Sequence, residues 1–170
     1  MRNKTFIILA SFAILLCSCE RLNTKKCCTQ LGYYTEIDSN FIAVPNIFTP
    51  NNDGLNDYFY VFVSDNISSI NLKIKDGSRI IYEVLKNNIS SQNIFWDGKV
   101  NGNISKEKMY HFEANAVTSD GRNLTLSGEF CLLINKCVTT LNDCTFATQY
   151  NGLGGFDLSR NNLENISLCR

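Results

Sequence analysis

The chain has 170 residues, and its 16 lysines and arginines balance 16 aspartates and glutamates, with a single histidine. That length suits one domain with short extensions, and a formal charge of zero sets nucleic acid aside as a partner. The 11 Phe and 7 Tyr, set among many β-branched residues, favour strands over helices.

Residues 1–18 read as a processing signal. Arg2 and Lys4 form a short basic start, and residues 6–16 are an apolar run too short for a comfortable transmembrane helix. The run ends in Leu16-Cys17-Ser18-Cys19, which resembles a bacterial lipobox and implies cleavage before Cys19 and lipidation of its thiol. Cys17 fits less well, because bulky Leu16 would sit where a small residue is required. A secretory signal without lipid is the alternative. A lipid on Cys19 makes the membrane a partner, with several acyl chains holding far better than one reversible chain. Cleavage there removes Arg2 and Lys4 and leaves a mildly acidic chain.

Residues 19–40 are polar and read as a tether. Cys27 and Cys28 lie within it, and Cys131, Cys137, Cys144 and Cys169 lie at or beyond the end of the following domain. An even number of cysteines in an exported chain points to disulfides, although the sequence does not choose among the pairings. Bridges of this kind can tie both tails against the last strand. Zinc is the weaker reading, since there is no C-x-x-C pair and only one histidine.

From Phe41 the pattern is one of short strands and turns. Residues 44–59 hold both prolines, Pro45 and Pro50, and six Asn or Asp residues, so they specify one particular loop. Residues 58–63 are apolar on both faces, as in a buried strand. Ile70, Leu72 and Ile74 alternate with polar residues, and Asp76-Gly77 then turns the chain into residues 79–84. Residues 94–96 form a short strand stopped by Asp97-Gly98. Residues 109–119 alternate, with Tyr110, Phe112, Ala114 and Ala116 on one face and His111, Glu113 and Asn115 on the other. Asp120-Gly121 makes a second hairpin into residues 124–134, where Gly128 signals a bulge or a close approach. About seven strands over 41–134 predict an all-β protein, an immunoglobulin-like antiparallel β-sandwich with Trp96 as its core anchor. Residues 135–170 read as a largely irregular extension tied by disulfides, with room for a short helix within 158–168.

The order of motifs resembles a known family. Pro45-Asn46-Ile47-Phe48-Thr49-Pro50-Asn51-Asn52-Asp53-Gly54-Leu55-Asn56-Asp57 matches in full the opening P-N-x-F-T-P-N-x-D-G-x-N-D of the gliding motility-associated C-terminal domain, the type B sorting domain of the type IX secretion system. Ile81-Tyr82-Glu83, Trp96-Asp97-Gly98-Lys99, Asn101-Gly102 and the aromatic strand at residues 110–112 follow in the family's order. Two positions depart from it: Lys75-Asp76-Gly77-Ser78-Arg79 stands where the family has R-W-G, and Glu107-Lys108-Met109 replaces a glycine. The family domain ordinarily closes a cargo protein, whereas residues 135–170 follow it here. The resemblance implies recognition by secretion machinery or other envelope proteins and display at the cell surface, in an outer-membrane lipoprotein facing the periplasm or the exterior. The alternative is a surface interaction or adhesion module.

Asn51, Asp53, Asn56 and Asp57 supply hard oxygen donors of the kind that begin calcium loops, which makes calcium the one cofactor to consider. A full EF-type loop fails, because Thr49 and Tyr60 occupy the positions that need acids. The structural alternative is a loop whose side chains cap its own amides. No enzymatic constellation is evident. His111 stands on a strand face, there is no G-x-S-x-G, and Gly152-x-Gly154-Gly155 lacks the strand and helix of a phosphate cradle. The expectation is a non-catalytic protein.

Overall fold

A computed structural model describes residues 32–52, 56–89 and 92–134, together with two short strands further on. Among the described residues every regular element is a strand. In chain order these are β1 (Tyr33–Ile37), β2 (Asn40–Val44), β3 (Ile47–Phe48), β4 (Phe59–Val63), β5 (Ile67–Asp76), β6 (Arg79–Asn87), β7 (Gln92–Trp96), β8 (Lys99–Val100), β9 (Asn103–Ile104), β10 (Lys108–Thr118), β11 (Asn123–Leu132), β12 (Cys137–Val138) and β13 (Ser167–Leu168).

Two sheets enclose the core. The first has the order β1-β2-β4-β7, and the second has the order β3-β11-β10-β5-β6. Neighbours pair antiparallel, except that β3 runs parallel to β11, with Ile47 opposite Cys131 and Phe48 opposite Leu132. The period-two pattern of the sequence sorts the side chains as expected. Ile70, Leu72 and Ile74 of β5, Phe112, Ala114 and Ala116 of β10, and Leu124, Phe130 and Leu132 of β11 all join the core cluster. Ile42 and Val44 of β2 and Phe59, Val61 and Val63 of β4 face them from the first sheet. Full burial of one such side chain contributes about 1.5–3 kcal/mol.

The solvent side of the second sheet carries charge pairs instead. Lys73 lies 3.3 Å from Glu83, and Lys75 bonds Glu113 across to β10. The hydrogen bond from Lys75 holds the Glu113 carboxyl below its ordinary value.

Both Asp-Gly hairpins form. Gly77 and Ser78 turn β5 into β6, with Asp76 opposite Arg79. The β10–β11 turn is wider. Thr118 closes it by accepting the Arg122 amide at 2.8 Å on its hydroxyl and donating its own amide to the Arg122 carbonyl at 2.9 Å. Arg122 also pairs with Asp120 at 2.9 Å and with Asp38 beside β1.

Several expectations need correction. The stretch read as a tether gives its end to the sandwich, since β1 pairs with β2 along Tyr33–Ile37. Its mostly exposed pattern hid it, and what fixes it is tertiary. The Tyr33 ring lies against Gly128, meets Phe112 at 5.1 Å, and bonds both backbone groups of Glu129. A Cβ at Gly128 would lie 2.3 Å from that ring, so the close approach expected at this glycine is made by an aromatic side chain. With β1 and β3 the two main sheets hold nine strands rather than about seven, and β8 and β9 add a small hairpin. Downstream, β12 pairs parallel with β13. The helix expected within 158–168 falls outside the described residues except at its end, where Ser167–Leu168 is strand. The signal at 1–18 and the lipidation position Cys19 also lie outside them.

Candidate functional site

The proline-asparagine signature crosses from one sheet to the other. Val44 ends β2 in the first sheet, and Pro45, which has no amide to donate, breaks the ladder there. The chain is at once taken up by the second sheet. The Asn46 carbonyl accepts the Cys131 amide at 2.8 Å, and the Phe48 carbonyl accepts the Leu133 amide at 3.1 Å. Phe48 is fully buried, with ring centroids 5.8 Å from Phe59, 5.5 Å from Trp96 and 5.9 Å from Phe130. The Phe of the signature is thus the plug where both sheets meet.

The loop after Phe48 folds on its own backbone. The Thr49 amide donates to the Asn56 carbonyl at 2.8 Å, and the Asn51 amide to the Thr49 carbonyl at 2.7 Å. Asn52 and Asn56 adopt left-handed backbone angles, φ 63° and 49°, which asparagine tolerates better than most residues. The Asp57 carboxylate accepts the Asn52 amide at 2.5 Å. Of the four oxygen-donor residues named for calcium, Asn51, Asn56 and Asp57 therefore lie in one loop whose polar groups bond one another, and Asp53 lies outside the described residues. Among the described residues no group of three His, Cys, Asp or Glu side chains is arranged to hold a metal. Asp57→Ala is expected to cost about 1 kcal/mol by orphaning that amide. A lowered urea midpoint measured in the presence of a chelator checks this, since no cation contributes there.

The tryptophan motif closes the same end of the sandwich. Trp96 is 1% exposed and donates its indole N–H to the Lys99 carbonyl at 2.9 Å. The Asp97 carboxylate accepts the Lys99 amide at 3.0 Å, which forms the tight turn into β8. Gly98, at φ +78°, has Pro50 Cγ 3.0 Å from where a Cβ would stand. The second proline of one motif therefore packs on the glycine of the other. Both motifs were visible in the sequence, but their contact was not. His111 lies on the solvent side of β10, beside the Lys75–Glu113 pair, and Trp96 is the core anchor expected of it.

The type IX secretion signal domain family, CHU_C, matches residues 42–128. The chain belongs to this family. The matched residues run from β2 to Gly128 in β11, so they take in both motifs and most of the sandwich. Membership in the signal-domain family carries a secretion-related role and fits a protein of the cell envelope or surface. No curated protein and no solved structure matches the chain. In this signal domain β1 precedes the matched residues, and its Tyr33 seats on the last of them. Cys131 is buried in β11 and Cys137 opens β12, whereas Cys27, Cys28, Cys144 and Cys169 lie outside the described residues.

Proposed function

We propose that this chain is an exported envelope lipoprotein, anchored through a lipid on Cys19, whose β-sandwich is recognised by type IX secretion machinery for display at the surface. It acts by recognition rather than catalysis. The observation that carries this reading is the family match over residues 42–128, which coincides with the folded sandwich. The strand order, with β1-β2-β4-β7 facing β3-β11-β10-β5-β6 and the chain passing from β2 in one sheet to β3 in the other, supports an immunoglobulin-like assignment. In this reading Cys131, buried near the end of β11, is one of six candidate disulfide residues, with Cys27, Cys28, Cys137, Cys144 and Cys169, that would tie the extension back to the last strand.

A reporter fused ahead of residues 32–170 tests the reading. In cells with the machinery, protease added outside is expected to remove the reporter. In cells lacking the machinery the reporter is expected to stay protected. Protection in both strains sinks the secretion role. Mass spectrometry of the mature N-terminus tests the lipid separately, because an unmodified Cys19 overturns the anchor and leaves the recognition intact.

A further inference from the structure

The second sheet has two margins, and they differ. One ends in β3, a strand of 2 residues. The other ends in β6, 9 residues long, which pairs with β5 and has no strand on its far side among the described residues. β6 contains no proline and carries Leu85, which at 63% exposed is the barest large hydrophobic side chain among those residues. A sheet margin that faces water is ordinarily blunted by proline, by charge or by shortness.

The charges of β6 do not blunt it. Glu83 is drawn back over the sheet, 3.3 Å from Lys73, and accepts from the Asn71 side-chain amide at 3.4 Å. The Lys86 ammonium lies 4.8 Å from the Phe95 ring centre, on the first sheet. Both are held within the molecule. The regular part of the margin is bounded on either side. The ladder with β5 slips at Ile81, since Ile74 faces Tyr82 but Lys75 faces Ile80. Asn88 turns off at φ 55° and gives its amide to the Ser68 carbonyl at 3.2 Å. Residues 82–87 are left as a straight margin.

We propose that a second copy of this chain pairs antiparallel along residues 83–87 of β6, about a twofold axis at Leu85. Such an axis, perpendicular to the sheet, keeps each face on its own side, so it passes through a residue and not between two. An axis at Glu83 or Lys86 sets like charges directly opposite, which destabilises a strand pair. An axis at Val84 sets Leu85 against the carboxylate of Glu83. Axes at Tyr82 and Asn87 run into the slip and the turn. At Leu85 the two bare leucines cover each other, Glu83 faces Asn87 and Val84 faces Lys86. The same patch serves both copies, so the contact closes at a dimer. So short a ladder is small beside the ~1,200–2,000 Å² of stable complexes, and the dimer is therefore concentration-dependent. The inference stands whether or not the secretion reading does.

Photo-crosslinking in the full chain tests it. With p-benzoylphenylalanine in place of Asn87, and isotopically light and heavy copies mixed, irradiation is expected to join one copy to the β6 peptide around Glu83 of the other. Adding Leu85→Lys, which sets two lysines on the axis, is expected to cut that yield about tenfold. No joined copies, joining through other strands, capture of a different protein instead, or a yield indifferent to Leu85→Lys each overturns the proposal. A second measurement needs no substitution. On raising the wild-type concentration from micromolar to millimolar, exchange of the β6 amides is expected to slow about tenfold while that of the β10 amides stays constant. β6 exchange that does not respond to concentration also overturns it.

Discussion

Gly128→Ala is expected to destabilise the domain by about 1–3 kcal/mol, the usual range for forcing extra volume into a packed site. The added methyl would stand 2.3 Å from Tyr33 Cε1 and 2.4 Å from Cζ, far inside contact distance. The strain cannot be relieved by a flexible side-chain end, because the ring is held from two directions. It meets Phe112 edge-on at 5.1 Å, and its hydroxyl donates to the Glu129 carbonyl at 2.7 Å while accepting the Glu129 amide at 3.0 Å. The cheapest response is to release β1, which pairs only with β2 within its sheet. A double-mutant cycle reads this directly. Tyr33→Ala alone lowers stability, and adding Gly128→Ala to it is expected to cost little more, since the methyl then has room. Additive losses in chemical denaturation, with the β1 amides still protected, would show that the ring does not depend on the missing side chain.

Trp96→Ala is expected to cost more, about 3–5 kcal/mol, a large part of the stability of an ordinary small domain. The indole touches four rings, those of Phe48, Tyr82, Tyr110 and Phe130, at centroid separations of 5.5 to 6.3 Å. Its N–H also ties the turn at Lys99. Trp96→Phe separates the two contributions. It keeps an aromatic ring in the site but loses the hydrogen bond, worth about 0.5–1.5 kcal/mol net, along with part of the packing. Thermal or urea denaturation should therefore rank wild type, Trp96→Phe and Trp96→Ala in that order. A Trp96→Ala protein as stable as Trp96→Phe would mean that the cavity collapses and that the rings around it are not set by the indole.

The long strands were legible because they carry their own signals. β5, β10 and β11 alternate over ten or eleven residues, and Asp-Gly marks the two turns that join β5 to β6 and β10 to β11. β4 was legible as a continuous apolar run, and four of its five residues are buried. Short strands carry no such period. β3 has two residues inside a loop-like sequence, and its identity comes from the backbone of β11. β1 is mostly exposed; its ladder is with β2, and the side chain that anchors it is Tyr33, through a contact with a glycine far along the chain. The paired motifs show the same division. Residue types announced that Pro50 and Gly98 matter, but only folding places one on the other. Sequence also counts the oxygen donors of the loop without showing which backbone amides they face. In the fold the Asp57 carboxylate faces the Asn52 amide.

Tyr33 has one more consequence, which concerns association between molecules. A sheet edge with unpaired amides and carbonyls is a template for the strand of another chain. β11 lies one place from the edge of the second sheet, and its neighbour β3 covers only Cys131 and Leu132. Just beyond that cover, at Glu129, a phenol hydroxyl does what a neighbouring strand would do. It accepts from the amide and donates to the carbonyl of the same residue. One side chain thus closes the rung at which a second molecule would begin to zip. Keeping that rung closed guards against edge-to-edge self-assembly as well as loss of fold.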